Sequence, residues 1–262
     1  MIILLHSSKT MRIVPRGNVQ LHQPQLLEKT KKLDAYLKTL SSSELGKIMK
    51  LSPSLAEKTH DLIAAWTAKP EQQSPALDSF IGDIYSGLQA DKLDSADRDY
   101  ADQTLRIFSG LYGIIRPYDG IYPYRLEMGY KFPEPKFASL YDYWGQDIAD
   151  TLPKEGPIVN LASEEFAETI TSFIDASRIV APKFLTVSPK NGEPAFVVVH
   201  AKIARGAFAH WLIKNRIENL QKLSEFKDLG YTFDKNLSTK DIPTFVCKEF
   251  GGKGLSMKKL HN

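Results

Sequence analysis

MIILLHSSKT, residues 1–10, is an apolar run that gives way abruptly to polar side chains. Four consecutive apolar residues from Ile2 to Leu5 are typical of a short buried strand. In α/β proteins, ligands commonly bind where such a strand ends. The side chains of Ser7, Ser8, Lys9 and Thr10 would suit a phosphate there, although a solvated polar loop is compatible with the same residues.

Helical and strand patterns alternate along the rest of the chain without a strict repeat. The spacing of apolar residues predicts helices at residues 25–40, 44–49, 53–66, 76–88, 95–108, 141–150, 163–170 and 203–217. It predicts further strands at residues 158–162, 179–187, 195–199 and 244–247. We therefore expect an α+β or mixed α/β fold in a single domain over residues 1–262, with a flexible tail at residues 253–262.

Composition limits the class of protein. Hydrophobic residues make up 42% and charged residues 25%, which allows a real core and excludes global disorder. No stretch approaches the roughly 18 apolar residues that a membrane span needs. Cys247 is the single cysteine, so no internal disulfide is possible. A reducing compartment follows, and we expect a cytoplasmic protein with no membrane partner.

Charge is distributed unevenly. Residues 1–50 hold nine Lys/Arg against three acidic residues, net +6, whereas residues 71–102 hold eight acidic residues against two basic, net −6. Such asymmetry is compatible with a basic binding face, and solvated helix surfaces produce similar runs.

Motifs for metals, cofactors and covalent catalysis are missing from the sequence. There is no phosphate-binding P-loop, dinucleotide fingerprint or nucleophile elbow. Glu57 and His60 match only half of a di-iron carboxylate motif. Cys247 follows the apolar Phe245 and Val246, a context that predicts a buried, unreactive thiol. We expect neither a cofactor nor a resident metal.

Two other segments concentrate basic residues. Lys202 and Arg205 lie near the predicted start of a helix with no acidic residue beside them, so an anion or a carboxylate such as Glu127 is needed to offset them. The second segment, SGLYGIIRPYDGIYPYRLEMG at residues 109–129, interleaves arginines with tyrosines. Its arginines would hold phosphates while its tyrosines stack on bases, or Arg125 and Glu127 would pair to fix an irregular loop.

This segment resembles the bacterial YaaA family, which is associated with resistance to peroxide stress. The resemblance runs through most of the chain, and further matching stretches are FIGDIYSGL (80–88), LYDYWG (140–145), NLAS (160–163), ARG (204–206) and GY (230–231). Two departures stand out. SSKTMR at residues 7–12 lacks the usual proline and acidic residue, and Lys202-Ile203 has one lysine where the family usually has two.

The resemblance implies a cytosolic DNA-binding protein that limits oxidative damage and affects free intracellular iron. It also implies a YaaA-like fold with central β-structure flanked by helices and a helix-hairpin-helix-like element, for which Ser43 to Trp66 is the best match. The connection Lys50-Leu51-Ser52-Pro53 lacks the glycines that let a backbone approach phosphate closely.

Two hypotheses for function follow. The first is a non-enzymatic protein that binds DNA through backbone phosphates, without marked sequence preference. Its phosphate-binding candidates are Lys9, Thr10, Arg116, Arg125, Lys202 and Arg205, and its stacking candidates are Tyr112, Tyr122 and Tyr124. The alternative is an enzyme acting on a small phosphorylated or nucleotide-like substrate, with Glu127 and Arg125 as its catalytic residues. An enclosed pocket favours the enzyme and an open basic groove favours DNA. Direct iron binding ranks last.

Overall fold

The first predicted strand lies at the centre of a five-stranded sheet in the computed structural model, which describes residues 1–15, 19–133 and 137–256. Within those ranges the strands are β1 Ile2–His6, β2 Thr10–Met11, β3 Ser74–Pro75, β4 Phe80–Ile81, β5 Leu105–Ser109, β6 Gly113–Ile115, β7 Gly120–Ile121, β8 Ile158–Asn160, β9 Ile179–Val180, β10 Lys183–Val187, β11 Pro194–Ala195, β12 Tyr231–Phe233 and β13 Thr244–Cys247. The α-helices of the same ranges are α1 Leu27–Leu37, α2 Ser42–Met49, α3 Pro53–Ala65, α4 Ala76–Ser79, α5 Asp83–Leu88, α6 Ser95–Thr104, α7 Leu140–Trp144, α8 Asp147–Asp150, α9 Glu164–Thr171 and α10 Val198–Lys214.

Two sheets organise this single-domain, mixed α/β fold. The first has the order β6-β5-β1-β8-β9, with β6 antiparallel and the other four strands parallel. Ile3 pairs with Leu105 on one side and with Val159 on the other, and all five residues of β1 are buried. The second sheet has the order β11-β10-β13-β12 and holds the parallel pair β10 and β13. A strand that is covered on both faces has a continuous apolar sequence, so β1 can be recognised from the sequence alone.

Helix α10 packs against α5 with unusually close backbones. A Cβ on Gly206 would lie 1.8 Å from the carbonyl oxygen of Ile84, and a Cβ on Gly87 would lie 2.0 Å from that of Ile203. Only glycine fits at these two positions. The far end of α10 is held by Asp97, which receives hydrogen bonds of 2.6 Å from Lys214 and 2.9 Å from Arg216. These contacts fix the helix that carries Lys202 and Arg205.

The predicted pair of helices between residues 43 and 66 is present as α2 and α3. Ser41 caps α2 in a capping box with Glu44, and Pro53 occupies the first turn of α3 after the Ser52 N-cap. Lys50, at the end of α2, adopts the left-handed conformation with φ 53°, so the connection turns sharply without glycine.

Several predicted elements are interrupted. Residues 76–88 form α4 and α5, separated by β4 and by Gly82, whose φ is 154°. The predicted helix at residues 141–150 breaks at Gly145, whose φ is 51°, and the structure has α7 and α8 there. The predicted helix at residues 95–108 ends at Thr104, because Leu105 begins the central strand β5. The predicted strand at residues 179–187 divides into β9 and β10, which belong to different sheets.

The predicted strand at residues 195–199 is wrong beyond Ala195. Only Pro194 and Ala195 pair with β10, and α10 begins at Val198 instead of residue 203. Lys202 and Arg205 are therefore the fifth and eighth residues of the helix and not its N-terminal end. The expected repulsion from the positive helix terminus does not apply to them.

Near the C-terminus, Cys247 is buried in β13, as predicted, and burial raises the pKa of its thiol. Lys253–Leu255 form a short 3₁₀ turn, and the rest of the expected flexible tail, residues 257–262, lies outside the described residues.

Candidate functional site

A concave pocket of about 450 Å³ opens where β1 and β8 end. This is the edge at which parallel strands of α/β proteins present ligand-binding groups. The residues that line it come from the strand ends, from the region of β4 and α5, from the 109–129 segment, from the start of α9 and from α10. They are His6, Ser7, Ser8, Lys9, Thr10, Ile81, Gly82, Asp83, Ile84, Tyr85, Glu127, Ser163, Glu165, Phe166 and Lys202.

His6 forms the buried wall of this pocket. Its Nδ1 accepts a hydrogen bond of 3.1 Å from the backbone N–H of Ser163, and its ring stacks on Phe166 with centroids 5.0 Å apart. Burial, together with the charges of Arg205 and Lys202, lowers the pKa of His6 to about 3. The imidazole is therefore neutral at physiological pH, and the Ser163 bond leaves its proton on Nε2. In the sequence His6 is no more than the first polar residue after the apolar run of β1.

Acid is expected to destabilise the protein partly through His6. Unfolding restores the ordinary pKa of 6.5, so between about pH 6.5 and 3 the unfolded chain binds a proton that the folded protein does not. The free energy of unfolding should then fall as pH falls, by up to about 1.4 kcal/mol per pH unit from this group. Its full contribution is present above pH 6.5.

Urea unfolding of the wild type and His6→Gln at pH 7, 6 and 5 measures this effect. The variant should lose stability less steeply as the pH is lowered, whatever its stability at pH 7. The same pH dependence in both proteins would contradict the assigned role of the imidazole.

Lys9 and Glu127 close one side of the pocket. Lys9 Nζ lies 2.6 Å from Glu127 Oε2, and Tyr130 donates a hydrogen bond of 3.3 Å to the same oxygen. Arg125 does not pair with Glu127: its Nη1 donates to the backbone carbonyl of Lys9 at 3.3 Å. Lys9 is half exposed, so the ion pair contributes little to stability and can exchange partners readily.

The strand exit that precedes Lys9 is fixed by hydrogen bonds. The Ser8 hydroxyl donates to the Ile81 carbonyl oxygen and accepts from the Thr10 N–H at 3.3 Å. Thr10 pairs with Ile81 through β2 and β4, and its side chain is exposed. Ser8 therefore shapes the loop, while Lys9 and Thr10 present their polar groups to the pocket.

Lys202 and Arg205 approach from α10, one turn apart on the same face. Lys202 lines the pocket, and Arg205 lies close enough to His6 to lower the pKa of that imidazole. Burial lowers the pKa of the Arg205 guanidinium. Neither side chain forms an ion pair or a hydrogen bond with any part of the chain that the structure describes. A pocket-lining cation with a second, buried cation one turn away, neither of them paired with a carboxylate of the described chain, is suited to an anion.

Other sequence candidates lie apart from the pocket lining. Arg116 is held by Asp119, with its Nη2 2.9 Å from Asp119 Oδ1. Tyr112 is buried and its hydroxyl accepts from Trp66 Nε1 at 2.8 Å, while Tyr124 is buried with its hydroxyl 2.5 Å from Ser109 Oγ. Tyr122 is half-buried and donates its backbone N–H to Tyr112. The rings of Tyr112 and Tyr124 are inaccessible to a base in this structure.

Two carboxylates of the pocket carry no signal in the sequence. Asp83 and Glu165 line it along with Glu127, and Glu165 Oε1 accepts a hydrogen bond of 2.8 Å from the Gly129 N–H. The pocket is thus mixed in charge and not uniformly basic. In residues 1–15, 19–133 and 137–256, no three His, Cys, Asp or Glu residues cluster as metal ligands, and no helix has the length and apolar character of a membrane span.

Similar proteins cover most or nearly all of the chain. The sequence profile of the family described as "Peroxide stress protein YaaA" matches residues 1–237. A "UPF0246 protein" of Salinispora tropica is 54% identical over 259 residues, which is 99% of this chain and 98% of that protein. UPF0246 proteins of Bordetella petrii and Marinomonas sp. are 38% and 36% identical, each over 95% of this chain and over 100% and 98% of their own lengths.

Proposed function

Because this chain belongs to the family of peroxide stress protein YaaA, we propose that it limits peroxide damage by binding DNA through backbone phosphates, without marked preference for base sequence. The observation that supports this most is the position of Lys202 in the pocket lining, with Arg205 one turn farther along α10. Neither cation has a carboxylate partner among the described residues. Lys9 adds a third positive charge that is already balanced by Glu127.

A phosphate at this site would gain charge-assisted hydrogen bonds and release counterions from the DNA. The proposed protection is physical occupancy. DNA covered by protein is less accessible to iron and peroxide, whose reaction generates the radicals that cut the strand. The effect on iron-dependent damage then follows from where the protein binds and needs no resident metal.

The test measures the affinity for two labelled DNA duplexes of unrelated sequence between 50 and 200 mM salt. We expect both duplexes to bind alike and to weaken steeply as salt rises. Lys202→Gln should weaken both and reduce the slope of log affinity against log salt by about 0.9, the value for one phosphate contact. The exposed Lys154, 2.9 Å from Asp150, supplies the control variant Lys154→Gln, which should behave as wild type.

The same protein samples are used to measure the protection of DNA against strand cleavage. Plasmid exposed to ferrous iron and peroxide should be nicked less in the presence of wild type than in the presence of Lys202→Gln. Affinity that is independent of salt, or equal protection by the two proteins, would contradict the proposal.

One observation favours a second candidate, an enzyme acting on a small phosphorylated or nucleotide-like substrate. Asp83, Glu127 and Glu165 surround part of the pocket, where they would repel a continuous DNA backbone. They provide acceptors for the polar groups of a small ligand, beside the neutral imidazole of His6, whose Nε2 carries its proton. Calorimetric titration with a nucleoside monophosphate distinguishes the two: tight binding that Glu127→Gln abolishes would favour the enzyme.

A further inference from the structure

An exposed apolar segment precedes the basic face of α10. Phe196, Val197 and Val198 are consecutive, and 54%, 37% and 54% of their respective surfaces are exposed. They connect the edge strand β11 to the first turn of α10. The other large exposed hydrophobic residues of the described chain, Ile13, Phe173, Leu237 and Ile242, are scattered in sequence. We refer to Phe196–Val198 as the 196–198 lip.

Stability does not explain the lip. Val197 is the N-cap of α10 and provides no capping hydrogen bond, and the first turn contains no acidic residue. A serine or an aspartate would stabilise this helix end better than valine. Exposed consecutive apolar side chains also oppose the hydrophobic effect, and such patches mark interaction sites.

The 196–198 lip immediately precedes the part of α10 that carries Lys202 and Arg205. Val198, Lys202 and Arg205 are spaced four and three residues apart, so they lie along one face of α10. Val198 is about 6 Å along the helix axis from Lys202, given the rise of about 1.5 Å per residue. Residues 194–205 contain no acidic side chain. An exposed apolar residue at the start of α10 and two cations are therefore aligned along one face of the helix, and Phe196 lies two residues before that apolar residue.

We propose that the 196–198 lip receives an unpaired nucleobase of the DNA strand whose phosphates are bound at Lys202 and Arg205. This inference rests on the proposed DNA binding. Phe196 supplies the stacking ring, because every base has an aromatic face and stacking tolerates any sequence. The lip takes over the role for which Tyr112 and Tyr124 are buried too deeply. A protein partner suits it less well, since three side chains fall far short of the roughly 800 Å² that each partner buries in a stable interface.

The experiment compares two labelled strands of equal length and charge, one of oligothymidylate and one of abasic deoxyribose phosphate. We expect wild type to prefer the strand with bases by about five-fold or more. Phe196→Ala should lose that preference and retain affinity for the abasic strand. Phe196→Tyr should keep the preference, and Phe173→Ala, which removes an exposed phenyl group elsewhere, should match wild type. Lys202→Gln should weaken binding to both strands equally.

Different results would contradict the proposed DNA binding and the proposed base site. If wild type binds neither strand, the proposed DNA binding fails and the base-binding lip fails with it. If wild type binds both strands equally, or if Phe196→Ala weakens both equally, DNA binding stands and the lip is not a base site. Thermal unfolding verifies that Phe196→Ala is folded. Light scattering that shows a dimer in wild type and a monomer in Phe196→Ala would make the lip a contact between copies and overturn the proposal.

Discussion

Gly206→Ala is expected to abolish the native packing of α10 against α5. The new Cβ would lie 1.8 Å from the Ile84 carbonyl oxygen and 2.6 Å from the Leu88 nitrogen. Both atoms are backbone, so no side-chain rotation relieves the overlap. In an exposed helix the same substitution would stabilise by about 1 kcal/mol, because alanine has the higher helix propensity. Here the helices must separate, and we expect a loss of about 3 kcal/mol or more, or no folded protein.

Urea unfolding measures the loss, with Gly254→Ala as the control. Gly254 has no neighbour within 4 Å of an added Cβ, so its substitution should change stability by less than about 0.5 kcal/mol. Gly87→Ala tests the same helix contact from the α5 side, because the new Cβ would lie 2.0 Å from the Ile203 carbonyl oxygen. It should reduce stability by a similar amount. A stable, fully folded Gly206→Ala would mean that the two helices are farther apart than described.

Replacing both Lys202 and Arg205 by glutamine should produce the largest loss of DNA affinity, roughly 25- to 100-fold. Each residue is expected to contribute a five- to ten-fold effect, or about 1 kcal/mol or slightly more. The slope of log affinity against log salt should become less steep by about 1.8, the value for two phosphate contacts. Lys235 and Lys240 are exposed in the loop between β12 and β13, beside the sheet edge opposite β11, and their double glutamine variant is the control.

Arg205→Ala alone separates binding from structure. Had Arg205 formed a buried ion pair with Glu127, its truncation would cost about 3–5 kcal/mol. Glu127 instead pairs with Lys9, and the Arg205 guanidinium is desolvated without a carboxylate partner among the described residues. We therefore expect thermal stability to be unchanged or raised. Removing this charge should also raise the pKa of His6, which an NMR titration detects. A large loss of stability with unchanged DNA affinity would assign Arg205 to the fold and not to the site.

The sequence predicts most elements here whose boundaries are set locally. Ser41 with Glu44 marks the start of α2, and the apolar run after Met1 marks β1. Prediction from the sequence fails where contacts between distant residues override the local secondary-structure preference. Val198 and Val199 favour a strand on propensity, yet they begin α10, which is held in place by its glycine contact with α5 and by Asp97. Tertiary packing outweighs a propensity difference of a few tenths of a kcal/mol per residue.

The residues of the candidate site could be predicted only where a local sequence pattern marks them. Lys9, Thr10 and Lys202 stood out by local sequence, and the structure brings all three to one pocket. His6 did not, because a histidine that ends a strand carries no local signature of its burial against Phe166 from α9. The sequence shows that tyrosines and arginines are concentrated in residues 109–129. Which of them face solvent depends on long-range packing, such as that of Tyr112 on Trp66.

The buried thiol of Cys247 bears on how this protein behaves in the presence of oxidant. Only the thiolate reacts readily with peroxide, and a raised pKa keeps this cysteine in the thiol form. Cys247 is also the single cysteine of the chain. Thiol oxidation therefore gives the protein no means of registering that peroxide has arrived. Under the proposed function, the protein would bind DNA equally well before and during peroxide stress. The extent of protection would then depend on the number of copies of the protein in the cell.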